Sequence, residues 1–533
     1  MENLILNDFM IRLLYIDLFC GAGGTSTGVE DARYAGEECA KVIACVNHDA
    51  NAIASHMANH PEALHFTEDI RTMDLSPLVA HVRDMKEIYP GSLVVLWASL
   101  ECTNFSKAKG GQPRDADSRT LAEHLFRYIE ALNPDYIQIE NVEEFMCWGE
   151  LDENGHPVSR YKGTSYLRWV KNVCAYGYNF DFRLLNAADY GAYTSRKRFF
   201  GQFARHGLPI AFPKATHAKQ IHETSSEHSL FPEEDSLEQW KPVREVLDLD
   251  DDGESIFGRK KPLVEKTLER IYAGLIKFVA GGKEEFLMRY NTVRPQDTVK
   301  SLEEPCGVLT CDNRFAKAKV HFLSKQFGGA PSGKNISIEE PAGTVTCRDH
   351  HAFISVHYGN GYNSPIDMPV PTVTCKDRFG LVTCKFLTNE YSGGGQLSVI
   401  EHPCPALLTI PKQKLVSVKT MELGKLSNSI DGLPDFIRLT DKGIVYEIYD
   451  TDSEIMKKIK EFMALYVIVD ITMRMLNIPE LKRIMGFPEG YVLLGTRAEQ
   501  KKFIGNAVEV NMARVLCEAL CKTLSKNKLK KAI

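Results

Sequence analysis

Three short stretches of this sequence put reactive side chains at the ends of apolar runs. In "GSLVVLWASLECTNFSKAKGG" the chain is apolar up to Leu100, and Cys102 opens the Ser/Lys/Gly-rich loop that follows, with Ser106 four residues on. A thiol on a loop leaving a strand end is well placed to act as a nucleophile, because loops on a rigid scaffold carry much of protein chemistry. In "PDYIQIENVEEFM", Glu140 and Asn141 end a second apolar run. A carboxyl there suits a general acid, or a cap for the helix after it. In "LYIDLFCGAGGTSTG", Gly21, Gly23 and Gly24 allow a tight turn and close approach of a ligand to the backbone. This loop is not the dinucleotide fingerprint, since Ser26 takes its last glycine position, and it has no phosphate-loop lysine. Asp17 before the loop and Phe19 within it suit a cofactor with an amino-acid end and an adenine ring.

The elements that must hold these groups alternate over the first ~200 residues. "LLYIDLF", "KVIACVNHD", "SLVVLWASL" and "PDYIQIENV" read as strands. "ANAIASHMANHP" and "SRTLAEHLFRYIEALNP" read as helices, the second closed by Pro134. Strand–helix alternation predicts a doubly wound α/β fold, a parallel sheet covered on both faces. Ligands of such sheets sit at the carboxyl ends of the strands, where the glycine loop, "NHD", the Cys102 loop and "ENV" all fall.

The bulk properties narrow the class. The chain has 533 residues, 44% of them apolar and 25% charged, which allows more than one domain. A formal net charge of −6 excludes a basic nucleic-acid coat but leaves a local basic cleft open. Fourteen cysteines show no CxxC pair and no Cys/His zinc spacing, so no metal is expected and the thiols are read as free in a reducing, cytoplasmic setting. The start "MENLILNDFMIRLLYIDLF" is too charged for a signal peptide, and no run suggests a membrane partner.

From about 206 to 294 the chain is polar and turn-rich and reads as a connecting segment, with one helix in "LVEKTLERIYAGLIKFVAGG". A degenerate repeat follows: "EEPCGVLTCDNRFAKAKV", "EEPAGTVTCRDHHAFISV", "DMPVPTVTCKDRFGLVTC" and "EHPCPALLTIPKQKLVSV". Each reads as strand, polar or basic turn, strand, so 295–465 is expected to form a separate, mostly β domain. The pattern after that is helical, and the last helix is expected to return to the first domain, giving 467–533 to the same body as 1–205.

Taken together, these stretches resemble the DNA cytosine-5 methyltransferase family. "DLFCGAGG" matches its S-adenosylmethionine loop, "ECTNFS" stands at its Pro-Cys-Gln-x-Phe-Ser motif, and "ENV" matches the next catalytic motif. "YTSRKRFF" stands at Gln-x-Arg-x-Arg, "RMLNIPELKRIMGFPEGY" at the motif closing the recognition region, and "GNAVEVNMA" at the last cofactor motif. The motifs keep the family order and span roughly half the chain.

The resemblance implies an S-adenosylmethionine-dependent, Rossmann-like methyltransferase domain with a smaller target-recognition domain. It implies methyl transfer to carbon 5 of a cytosine flipped out of duplex DNA. Cys102 would be the nucleophile adding at carbon 6. Glu140 would hydrogen-bond N3. Of Arg196 and Arg198, one would contact the cytosine O2 and the other orient the site and hold phosphate. Ser106 would touch the flipped nucleotide. Around the cofactor, Asp17, Gly21 and Gly23 belong to the loop motif, and Phe19 would pack on adenine. Asp69 and Ile70 match the adenine-edge motif, Leu121 a wall residue, and Asn506 the C-terminal closure of the pocket. Asn47 stands where an acidic residue usually holds the ribose, and His48 where an aromatic usually stacks. Glu101, Thr103 and Thr194 also depart from the family pattern.

In the repeats, Arg314, Arg348, Lys376, Arg378 and Lys412 are the candidate DNA contacts, read as presented on turn tips. The expected setting is a restriction–modification system or a solitary modification enzyme, acting as a monomer on double-stranded DNA, with a cognate restriction endonuclease as a partner in the first case. An RNA cytosine methyltransferase and an inactive DNA-binding regulator are the alternatives.

Overall fold

The computed structural model describes residues 11–100, 121–150, 152–153, 162–219, 237–248, 250–276, 285–289, 299–301, 311–319, 384–389, 397–398, 409–419, 434–440, 443–465, 468 and 470–532. Cys102, Ser106, Arg348, Lys376 and Arg378 lie outside these residues, as do Glu101 and Thr103.

Five strands are parallel neighbours: β1 (Leu13–Leu18), β2 (Ala40–Asn47), β3 (Leu64–Thr67), β4 (Leu93–Ser99) and β5 (Tyr136–Asn141), in the order β3-β2-β1-β4-β5. β6 (Tyr178–Asn186) and β7 (Lys197–Arg205) complete the sheet beyond β5, with β7 antiparallel to both its neighbours. β1 and β5 are buried at every position, their polar residues Asp17, Gln138, Glu140 and Asn141 included.

Helices α1 (Gly24–Glu30), α2 (Ala50–Asn59), α3 (Ser76–Ile88), α4 (Leu125–Leu132) and α5 (Thr164–Cys174) connect the strands. Asp49 starts α2 by accepting from the amides of Asn51 and Ala52, and Asn133 ends α4 in the left-handed conformation just before Pro134. The two faces of the sheet carry separate cores. Leu14, Ile16, Leu18, Leu96 and Phe199 point to one. Leu13, Tyr15, Val95 and Trp97 point to the other, as period-two alternation requires.

That second core is closed from the far end of the chain. α8 (Ile478–Ile484), α9 (Arg497–Asn506) and α10 (Val510–Ala532) follow the small lobe, and α10 lays Met512, Leu516, Leu520 and Leu524 against Leu13, Tyr15 and Val29. Each such Leu or Met, fully buried, contributes about 1.5–3 kcal/mol. The approach is close because α1 is glycine-lined. A Cβ on Gly28 would run into the Val510 carbonyl and lie 2.8 Å from Ala513 Cβ.

A second sheet is built by β8 (Glu285–Arg289), β9 (Val299–Ser301), β10 (Cys311–Lys319), β11 (Cys384–Asn389), β12 (Thr409–Lys419) and β13 (Asp470–Met475). It is accompanied by α6 (Glu265–Gly274), α7 (Glu454–Leu465) and a hairpin, Ile437–Thr440 with Gly443–Tyr446. This corrects the boundaries expected at 295 and 465. Glu254–Ser255 and β8 join this sheet from the connecting segment, and β13 joins it from beyond 467. Sheet pairing, not a shift in composition, marks the edge of this unit.

The turn-tip placement of Arg314 and Lys412 is also corrected. "CDNRFAKAK" and "TIPKQKLVSVK" are each one continuous strand, β10 and β12, paired in parallel with Asn313 opposite Lys412. The polar clusters that read as turns alternate with apolar residues and are absorbed into the ladder.

Gly28→Ala tests the close approach of α1 and α10. Overpacking against backbone costs about 1–3 kcal/mol, so urea denaturation should show unfolding free energy lowered by that amount, whereas Gly490→Ala should not lower it. A Cβ at Gly490 meets nothing within 4 Å, and its backbone is not in the left-handed region.

Candidate active site

The strand register sets the candidate residues along one edge. β1 pairs Leu18 with Val46 of β2 and Ala98 of β4, and β4 pairs Ser99 with Glu140 of β5. The glycine loop, Asn47, His48 and Glu140 therefore leave the sheet side by side, and Cys102 lies three residues beyond Ser99 in the chain. The order of strands reverses at β1, the crevice where ligands of such sheets bind.

The glycine loop is held from beneath. Phe19 (φ +61°), Gly21 (φ +53°) and Gly23 (φ +100°) all take left-handed conformations, and Phe19 does so with a bulky side chain. Such a residue carries strain of order 1 kcal/mol, typical of ligand-shaped loops. Phe19 packs against the core from the edge, and a Cβ at Gly21 would meet open space. Gly23 is closed instead, against the Tyr491 hydroxyl, His60 and His56.

Asp17 is not on the open side of the loop, which corrects its expected place beside the cofactor. It shares the β1 face of Tyr15, is 1% exposed, and accepts from the Ser26 hydroxyl at 2.8 Å. Burial pushes its carboxyl up to about 7. Ser26 hydrogen-bonds with His56 Nε2 at 2.9 Å, and His56 Nδ1 with His65 Nε2 at 2.9 Å. Burial and the neighbouring His60 and His65 hold His56 neutral, well below the usual imidazole range. Beside them, Tyr491 donates to the Ala22 carbonyl at 2.5 Å and contacts His60 at 3.2 Å. Sequence reasoning missed Ser26, His56, His60 and Tyr491. The one available signal was the i, i+4 spacing of His56 and His60 in "ASHMANH".

The other cofactor candidates ring the same edge. Asn47 accepts from the Asp49 amide at 2.9 Å, and His48 is exposed. Asp69 is clasped by Arg71, at 2.9 Å from Nε to Oδ2, and this ion pair holds its carboxyl down at about 2. Ile70 is buried, and its carbonyl accepts from Tyr128 and Arg127 of α4. Leu121 is partly buried on the same core. Asn506 ends α9 at the surface, one residue before Ala507, whose side chain faces Gly24. The edge thus offers an open glycine, an aromatic ring, an amide and a carboxylate. That donor set fits a ligand with adenine, ribose and amino-acid groups.

Glu140, Arg196 and Arg198 come together as a buried cluster. Glu140 is 5% exposed, with Arg198 Nε at 3.3 Å and Arg196 Nη2 at 4.0 Å from Oε1. Burial raises the Glu140 carboxyl above the usual range in spite of both guanidinium groups, which lower it. The helix-cap reading of Glu140 is excluded, because the short 3-10 turn Glu143–Cys147 begins at Val142. Asn141, fully buried, reaches back with its amide to the Leu100 carbonyl at 3.2 Å and so ties β5 to the start of the Cys102 loop. Arg196 also donates to the Gly505 carbonyl at 3.2 Å, linking the cluster to α9. Thr194 is fully buried beside these arginines. Among the described residues no helix is long and apolar enough to cross a membrane.

The sheet order with its antiparallel β7, and a ligand edge at the switch point, define a Rossmann-like methyltransferase fold. The chain belongs to the family described as C-5 cytosine-specific DNA methylase, whose profile matches residues 13–261 and 423–522. It is 30% identical over 242 residues to the Type II methyltransferase M.AgeI of Thalassovita gelatinovora, covering 44% of this chain and 51% of that protein. It is 29% identical over 211 residues to the Type II methyltransferase M.XorII of Xanthomonas oryzae, covering 39% and 44%. The chain thus matches about half the length of these curated relatives. Among solved structures, the S. pombe Dnmt2 methyltransferase aligns at a TM-score of 0.42 and 15% identity, over 96% of this chain and 99% of that one.

The buried Asp17 gives a pH prediction. In the folded chain it stays neutral up to about pH 7, while unfolded it ionises near ~4. The folded state then holds the extra proton between those values, so stability falls as pH rises through that window. Asp17→Asn should remove this fall. Its gain in unfolding free energy over the wild type, absent near pH 4, should approach about 4 kcal/mol at pH 7.5, read by urea denaturation at a series of pH values.

Proposed function

We propose that this protein is a DNA cytosine-5 methyltransferase acting on a cytosine flipped out of a specific duplex sequence, in a restriction–modification system or as a solitary modification enzyme. The observation that carries the reading is the enclosed Glu140 between Arg196 and Arg198, beside the strand end that leads to Cys102. A carboxyl raised above the usual range by burial holds its proton to higher pH than a free surface glutamate, which suits donation to cytosine N3.

The roles follow from this chemistry. The Cys102 thiolate forms a bond from Sγ to carbon 6, and the displaced electron pair moves into the ring. Glu140 stabilises that charge by donating to N3. Arg198 and Arg196 flank the carboxyl, and one of them would contact the cytosine O2. S-adenosylmethionine, when bound, supplies the electrophilic methyl that carbon 5 accepts. After the carbon-5 proton leaves, the Sγ–C6 pair returns to sulfur and frees Cys102. The cofactor would lie across Phe19, Gly21, Asn47, His48, Asp69, Ile70 and Leu121, with Asn506 at its C-terminal side. Gly23 and Asp17 act from beneath, shaping the loop. Ser106 would contact the flipped nucleotide. The small lobe would read the duplex, with Arg314 and Lys412 on neighbouring strands and Arg348, Lys376 and Arg378 as further contacts.

Three results test this. Bisulfite sequencing of a methylation-free host should show one protected motif with the wild type and none with Cys102→Ala. Protection of transfer RNA but not of DNA would overturn the substrate assignment. Glu140→Gln should lower kcat/KM by about 10²–10⁴. The wild-type rate should fall as pH rises past the elevated Glu140 pKa, and the residual activity of Glu140→Gln should lack that basic limb. Arg314→Ala and Lys412→Ala should each reduce the slope of log affinity against log salt by about 1 if they hold phosphates, measured by fluorescence anisotropy on duplex DNA.

A further inference from the structure

At the opposite edge of the main sheet from the ligand loops, three cysteines converge. Cys39 immediately precedes β2, and its carbonyl accepts from the amides of Arg12 and Leu13 at the foot of β1. Cys517 and Cys521 stand one turn apart on α10, on the face turned to that foot. The three are 2%, 0% and 0% exposed, and their sulfur atoms lie within 4.8 Å of one another. Sulfurs around one zinc ion at about 2.3 Å stand roughly 3.8 Å apart, so only small rotamer shifts separate this arrangement from a closed site.

Two further observations point to a cation. Tyr15 is 1% exposed, and its hydroxyl makes no hydrogen bond of good geometry. Cys517, Cys521 and Cys39 all act on it electrostatically, so an oxygen donor stands beside the same three sulfurs. A divalent ion bound by three thiolates carries a net charge of −1, and the guanidinium groups of Arg12 and Arg33 act on Cys39 from one side.

We infer that Cys39, Cys517 and Cys521 form a site for a thiophilic d10 cation, zinc in the cell, with Tyr15 beside the fourth position, clamping the C-terminal helix to the foot of the sheet. Binding forms three sulfur–metal bonds. It releases to solvent the protons held by the Cys39, Cys517 and Cys521 thiols, plus that of Tyr15 where the phenolate closes the shell. Among the described residues, Cys45, His56 and His65 are a second grouping of this kind. Both ring nitrogens of its His56 are already engaged, with Ser26 and His65.

The test uses the full chain, stripped with chelator and kept in a non-thiol reductant, titrated with Cd(II) and with Zn(II). One equivalent of Cd(II) should produce the sulfur-to-cadmium charge-transfer band, and Zn(II) should raise Tm. Cys39→Ser, Cys517→Ser and Cys521→Ser should each weaken Cd(II) affinity at least ten-fold and abolish the Tm rise, while Cys45→Ser and Cys102→Ala should keep both. Because a serine variant could fail to fold, zinc-edge X-ray absorption on the wild type gives an independent readout, with a shell of three sulfurs expected. A shell containing imidazole nitrogen, a band lost in Cys45→Ser or Cys102→Ala alone, a disulfide among the three cysteines with no metal uptake, or no band at one equivalent would each overturn the assignment.

Discussion

The contact on which most of this molecule depends is the seating of its C-terminal segment on the N-terminal glycine loop. Gly24 and Gly28 let the Val508 and Val510 backbone come against α1, and Tyr491 bonds the Ala22 carbonyl. From the same segment, Gly505 takes a hydrogen bond from Arg196, and α10 completes the core beneath β1. The curvature of the glycine loop, the placement of Arg196 and the closure of a sheet face thus rest on a single joint. Side chains larger than hydrogen have no room there, because backbone meets backbone.

That joint also explains how two electrostatically opposed regions coexist in one fold. At the carboxyl edge of the sheet, burial pushes acids up: Asp17 beneath the loop, and Glu140 despite two neighbouring arginines. At the amino edge, hydrogen bonds and arginines favour an ionised thiol at Cys39. Desolvation leads at Asp17, Glu140 and Cys517, while hydrogen bonds from Cys517 and Cys521 lead at Cys39.

The active-site cluster shows why apparently conservative changes would matter. Arg198 approaches Glu140 through Nε at 3.3 Å, while Arg196 divides its guanidinium between Glu140 and the Gly505 carbonyl. A lysine at either position would lose one of these directions, since its single ammonium cannot bridge a carboxylate and a carbonyl in fixed geometry. Glu509, buried nearby and raised to about 7, adds a further acid that Arg196 faces.

Much of this was legible in the residues. The mainly apolar runs of β1, β2, β4 and β5, with turn signals after them, point to buried parallel strands, and a parallel sheet puts Glu140, the glycine loop and the strand end at Ser99 on one edge. Local periodicity carries that information because burial on both faces leaves no other pattern. The sequence did not determine which way Asp17 points, that "CDNRF" and "PKQK" are strand rather than turn, or that Glu285–Arg289 and Asp470–Met475 share a sheet. Those depend on pairing partners far along the chain. The clearest case is Cys39 with Cys517 and Cys521: no spacing rule connects residues 482 positions apart, and only the packing of α10 across the foot of the sheet brings their sulfurs together.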